Sequence, residues 1–195
     1  MYLLRHVYSG TEKFRAKPED ETLAEIKKAA VGGPQFDKVF LADGDALVLS
    51  TRRLIEILTA IKKYMPWVRR VSSYCLPRNI RKKSVEDLQQ LQSLGLGMAY
   101  VGAESGDDQV LEFINKGETY ESTLSALTKL RQAGIKTSVM ILNGMGGMKY
   151  SQQHAENSAR LMNEAQPDFL SLLVVSYPMG DERVRDGFKG EYELP

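Results

Sequence analysis

The chain has 195 residues, enough to bury one substantial core, and the first expectation is a single domain over residues 1–195. Its 43% apolar and 26% charged residues are those of a globular protein in water. With 26 basic and 25 acidic side chains the formal net charge is +1, so bulk electrostatics does not draw the chain toward nucleic acid or a membrane surface.

The longest apolar runs, such as Phe169–Val175, fall far short of the ~20 residues that span a bilayer, and no signal-peptide core precedes them. The cytoplasm is therefore the expected location. Cys75 is the one cysteine, which excludes an intramolecular disulfide and a thiolate metal cage built from this chain alone.

Met1–Lys17 has no clear period and reads as a loop. Pro18 with Glu19, Asp20 and Glu21 has the composition of a first helical turn, and Leu23, Ile26, Ala29 and Ala30 give a stripe that Gly32, Gly33 and Pro34 end. Lys38–Ala42 is the first clear strand and runs into the acidic turn of Asp43, Gly44 and Asp45. Ser50 then caps a helix carrying Leu54, Ile55, Leu58 and Ile61.

Trp67–Tyr74 is strand-like, and Ser84 with Asp87 predicts a capping box before Leu88, Leu91 and Leu94. Between them Arg78, Arg81, Lys82 and Lys83 read as a solvated face. Met98–Gly102 is the next strand, leading to Glu104, Ser105 and Gly106 and a helix over Asp107–Asn115. A second helix carries Leu124, Leu127 and Leu130. Ile135–Leu142 opens into the glycine-rich loop Asn143–Gly147, and the following helix is expected to turn Ala155, Ala159 and Met162 inward. Phe169–Tyr177 is the fifth strand, and Asp181–Pro195 reads as an irregular tail.

Five strands about thirty residues apart, with helices between them, give the βαβ period of a parallel α/β sheet. Such units wind into a doubly wound sheet or a barrel, and the absence of a dinucleotide fingerprint favours barrel-like winding. Strand ends then line one rim: Asp43, Gly44 and Asp45; Ser72, Ser73 and Tyr74; Glu104 and Ser105; Asn143–Gly147; Ser176–Pro178. Carboxylates, hydroxyls and open glycine backbone suit a ligand bearing an amine or a ribose. Asp43–Gly44 is equally an ordinary turn pair, and His154 reads as a surface or satisfied histidine rather than a base, as does His6. Cys75 reads as a small buried hydrophobe.

Phe14–Glu21 (FRAKPEDE), Val39–Leu47 (VFLADGDAL), Ser72–Ile80 (SSYCLPRNI) and Tyr100–Asp108 (YVGAESGDD) occur in an order that resembles the radical S-adenosylmethionine (SAM) superfamily. The resemblance runs from about Tyr8 to Pro178. It implies a partial TIM-like barrel of six βα units, of which the five present match the second to sixth, with the first missing. It also implies an amine-binding role for Asp43, Gly44 and Asp45, a ribose contact at Glu104 and a SAM-carboxylate contact at Lys116. Ser73 is carried with the rim of the second strand. Ile141, Asn143, Gly144, Tyr177 and Pro178 fall near the adenine.

The same resemblance implies a 4Fe-4S cluster held by three cysteines spaced C-x-x-x-C-x-x-C, and these are absent here. In the matching register the last two would fall near Tyr2 and Arg5. A truncated or mis-started reading, a fragment without its first unit and a degenerate relative all account for this, and Met1 inside the motif favours the first two. The expectation is a radical SAM core domain whose partners are SAM and an unassigned substrate, inactive as written. A cluster-free SAM or nucleoside module is the alternative, and an ordinary aldolase-like barrel enzyme a third reading. The Val39–Leu41 strand would become an unpaired apolar edge open to self-association.

Overall fold

A computed structural model of the chain describes residues 4–5, 15–178 and 180–194, with the backbone alone at Leu4, Arg5, Arg15 and Asp43. Most of the loop expected over Met1–Lys17, with Tyr2, His6, Tyr8 and Phe14, lies outside the described residues. Within that stretch Leu4–Arg5 (β1) and Arg15–Ala16 (β2) pair as a short antiparallel ribbon.

From there the chain alternates. Helix Glu19–Ala30 (α1) has three carboxylates in its first turn and Lys27 and Lys28 in its last, matching the helix dipole at both ends. Strand Lys38–Asp45 (β3) leads through a 3-10 turn to Thr51–Tyr64 (α2), where the Ser50 hydroxyl accepts the Arg53 amide. Arg70–Cys75 (β4) is followed by Pro77–Arg81 (α3) and Val85–Ser93 (α4), which opens with the capping box expected from Ser84 and Asp87. Leu96–Glu104 (β5), Asp108–Phe113 (α5), Tyr120–Gln132 (α6), Lys136–Asn143 (β6), Ser151–Ala165 (α7), Phe169–Val174 (β7) and Glu182–Gly187 (α8) complete the order.

β3, β4, β5, β6 and β7 form one parallel sheet whose spatial order equals their chain order. A doubly wound sheet would reverse that order at a switch point. Without one, α1, α2, α4, α6 and α7 follow one another over a single face. The sheet does not close, so the architecture is the expected partial barrel.

Alternation along the strands separates its two faces. Val39, Leu41, Val71, Ala99, Val101, Val139 and Ile141 point under the helices and meet Leu54, Leu58, Leu88, Leu91, Leu127 and Leu130 in one core. Phe40, Ser72, Tyr74, Met98, Tyr100, Ser138, Met140, Ser171 and Leu173 take the opposite parity and form the concave face.

Several local expectations are corrected. In α7 the inward face is His154, Ser158, Leu161, Met162 and Ala165, while Ala155 and Ala159 are exposed; the stripe sits one residue earlier because it packs on the loop after β5. The basic run after β4 is not all solvated, since Lys83 is buried and donates to the Leu49 carbonyl, and Arg78 pairs with buried Glu118. The tail contains α8 and buries Phe188 and Tyr192 against Val110 and Met145.

β3 is an edge strand as expected, yet Val39 and Leu41 are covered by helices. The apolar edge open to solvent is β7, where Phe169, Leu170, Leu172, Leu173 and Val174 are each 47–79% exposed.

Candidate functional site

The C-terminal ends of β3, β4 and β5 share the rim of a cavity of about 590 Å³ that extends onto the concave face. Gly44 and Asp45 come from the β3 turn, Tyr74, Cys75 and Asn79 from the end of β4 and the start of α3, and Gly102 and Glu104 from β5; Lys116 lies just beyond α5. Tyr100, Met140 and Leu173 form the floor.

The β3 turn is shaped by its glycine. Gly44 has φ of 105°, a conformation side chains rarely adopt, and it lies in the bulge after Leu41 across which Asp45 comes to pair with Tyr74 of β4. One Asp45 oxygen accepts the Leu47 amide at 2.7 Å; the other accepts the Leu76 amide and the Asn79 side chain, both at 2.7 Å. Burial pushes this carboxyl above its ordinary value, and those three bonds and the Lys83 charge pull the other way without cancelling it. Asp45 thereby ties the rim of β3 to the rim of β4. The side chain of Asp43 lies outside the described residues.

Glu104 sits at φ of 63° in the left-handed region, and its carboxylate folds back over Gly102. A Cβ at position 102 would lie 2.5 Å from Glu104 Oε1, so only glycine leaves room for this arrangement. Lys116 Nζ donates to Oε1 at 2.7 Å, and both side chains are mostly buried. Oε2 has no partner among the described residues. α5 is capped by Asp107, which accepts the Val110 amide.

Of the residues selected from sequence, the structure brings Gly44, Asp45, Glu104 and Lys116 to one cavity. Ser73 is fully buried in β4 on the helix side, its hydroxyl donating to the Tyr74 carbonyl at 2.8 Å. Ile141 belongs to the core, and it and Asn143 border a separate cavity of about 350 Å³ beside α7. Gly144 is held by the Tyr192 hydroxyl, which bonds its carbonyl at 2.9 Å and the Tyr177 hydroxyl at 3.0 Å. Burial raises the Tyr177 pKa above the usual phenol value, with its bond to Tyr192 adding to the shift. Pro178 is exposed near that contact.

Tyr100, Gly102, Asn79, Met140 and Leu173 were not selected from sequence. For Gly102 and Tyr100 the signal was present: counting back in twos from Glu104 puts both on its face of the strand.

His154 is buried in α7, and its Nδ1 meets the Ser105 hydroxyl at 2.8 Å. Burial lowers its pKa, only partly offset by the Leu142 backbone and the Asp107 charge. It is a satisfied histidine that joins the β5 loop to α7. Gly106 completes the joint, since a Cβ there would lie 2.4 Å from the Asn157 carbonyl oxygen.

Cys75 is the free thiol, 3% exposed, its pKa raised well above normal by burial and then by the Asp45 charge. Among the described residues no group of three or more His, Cys, Asp or Glu side chains could hold a metal ion. One buried cysteine does not match a site that takes three thiolates, so the residues present do not fit an iron–sulfur cluster.

An open parallel sheet with a carboxylate–ammonium pair on its C-terminal rim defines a partial-barrel α/β domain. Residues 5–162 match the Radical SAM superfamily, and the chain belongs to that superfamily. It is 28% identical over 114 residues to a tRNA uridine(34) acetyltransferase of Methanocaldococcus jannaschii, covering 55% of this chain and 20% of that protein. It is 21% identical over 168 residues to the heme chaperone HemW of Bacillus subtilis, covering 82% of this chain and 44% of that one. Coproporphyrinogen III oxidase (HemN) from Escherichia coli, described as a radical SAM enzyme, superposes with a TM-score of 0.66 at 16% identity over 90% of this chain and 41% of its own. The chain thus spans less than half the length of each of these relatives. No helix among the described residues is long and apolar enough to cross a membrane.

Proposed function

We propose that this domain binds SAM at the rim of β3–β5. Asp43, Gly44 and Asp45 receive the amine, Glu104 Oε2 accepts the ribose hydroxyls and Lys116 meets the carboxylate. The observation that carries the reading is the Glu104–Lys116 pair, held over Gly102 beside the Gly44 turn in one cavity. Its free acceptor and remaining ammonium donors match a ligand presenting a diol and a carboxylate. Ile141, Asn143, Gly144, Tyr177 and Pro178 are assigned to the adenine side of the ligand, and Ser73 backs the rim of β4 from beneath.

In relatives, SAM bound to a cluster supplies an adenosyl radical; the donor set of this chain does not fit the cluster, so the reading assigns to these residues binding alone. The chain by itself is proposed to be inactive in SAM cleavage. Its partners are SAM and a substrate, in a cytoplasmic setting, with self-association through an exposed sheet edge.

Titration calorimetry of the chain with SAM tests the reading. A saturable isotherm is expected, weakened about ten- to a hundredfold in Glu104→Ala, the range for a hydrogen bond to a charged group. No heat at millimolar SAM overturns it. Anaerobic incubation with iron, sulfide, dithionite and SAM is expected to give no 5′-deoxyadenosine, and its formation would refute the inactivity.

A further inference from the structure

The floor of the cavity differs from its rim. Tyr74 and Tyr100 stand side by side on adjacent strands with ring centroids 6.1 Å apart, and Phe40 closes the group at 4.8 Å from Tyr74 and 5.4 Å from Tyr100. Tyr74 is 48% exposed despite lying toward the centre of the sheet. Beside the rings, Gly102 brings no side chain at all, while Met140 and Leu173 add apolar surface, Leu173 still 47% exposed. In a filled barrel such inward positions pack in layers and exclude ligand; here the Glu104 carboxylate covers Gly102, and the rings, Met140 and Leu173 border space that stays open.

The polar groups around the slot define what would enter it. Neither tyrosine hydroxyl has a hydrogen-bond partner among the described residues, and the Ser72 and Ser138 hydroxyls of the same face likewise have none. The charged groups stand on the rim, Glu104 beside Lys116 and Asp45 with its three protein donors, while the floor residues Tyr74, Tyr100, Met140 and Leu173 carry no charge. A charged ligand would be desolvated there without a counter-ion. A flat, uncharged ring would gain offset or edge contacts with the tyrosines and hydrogen bonds at its margin.

The geometry points to a substrate subsite on the concave face, formed by Tyr74, Tyr100, Met140 and Leu173, that takes a planar, uncharged aromatic or heteroaromatic group. It deepens the SAM reading by naming the substrate class of the same cavity, and rests on that reading only for the neighbour across the rim.

The test uses indole as a neutral planar probe, cyclohexanol as an apolar non-planar one and indole-3-acetate as a charged planar one. Tyrosine-ring-labelled chain is titrated by NMR with and without saturating SAM. Indole is expected to shift the Tyr74 and Tyr100 ring signals saturably and more tightly than either other probe. Tyr74→Leu, at a half-exposed position, is expected to weaken indole about three- to tenfold. Tyr100→Phe, which keeps the ring, isolates the hydroxyl and should weaken it less. Unshifted tyrosine signals overturn the subsite, equal binding of cyclohexanol overturns its planarity, and equal or tighter binding of indole-3-acetate overturns its neutrality. Indole binding with no SAM isotherm would sink the SAM reading and leave the subsite standing.

Discussion

Glu104 holds a left-handed backbone conformation that a side-chain-bearing residue rarely adopts, and it does so where the β5–β6 register shifts. Such a conformation costs on the order of 1–3 kcal/mol and persists only where its surroundings impose it. Gly102 and Lys116 are those surroundings. His154 carries a different signature. Burial favours its neutral ring, so the folded chain binds that proton less readily than the unfolded chain. Its contribution to stability is therefore present above the unfolded pKa of about 6.5 and is lost as pH falls from there through the depressed folded value. Urea midpoints are expected to drop between pH 7.5 and 5.5, and to drop less steeply in His154→Gln; parallel slopes in the two proteins would exclude the histidine as the cause.

Among the elements, the strands that belong to the repeating unit were legible because each combines a short apolar run with a stop signal and recurs at the βαβ spacing. α3 was not, since five residues carry too little period to separate a helical turn from a polar loop. The α7 stripe was displaced because its buried face includes His154 and Ser158, polar residues whose burial depends on Ser105 and Gly106, 49 and 52 residues away. Lys83 was hidden for the same reason: its acceptor is a backbone carbonyl, which no side-chain pattern reveals. At the site, the acidic turn and Glu104 could be selected from sequence, but the bonds that occupy Asp45 could not.

β7 is the element with least support. Its residues alternate between the concave face and the helix-covered face, and both sides stay open. An unpaired edge of this kind templates further pairing. Leu172→Lys is expected to lower the weight-average mass measured by sedimentation at high concentration. An unchanged mass distribution would remove this edge as the route of self-association.

For the whole molecule, two cores of unequal size divide the work. The larger lies between sheet and helices; the smaller joins α5, the loop after β6 and the tail through Phe113, Tyr150, Phe188 and Tyr192. Phe188→Ala removes a ring that is 1% exposed and should cost about 3–5 kcal/mol locally. Hydrogen exchange is expected to speed up at the tail amides while β4–β6 keep their protection, and uniform loss across the sheet would instead make the two cores one cooperative unit. The tail looked irregular in sequence because Phe188 and Tyr192 are isolated aromatics among charges, and only the fold shows what they cover.

The Tyr192 bond to the Gly144 carbonyl makes the end of the described chain a reporter on the loop after β6. Coupling between two such segments is reciprocal: whatever steadies the Gly144–Gly147 turn must disfavour the release of Tyr192 by the same free energy, and a freed tail must loosen the turn equally. A protease cutting near Lys189 would thus read the state of a turn it never touches. The sparsest part of the sequence would then be the most direct gauge of the loop after β6.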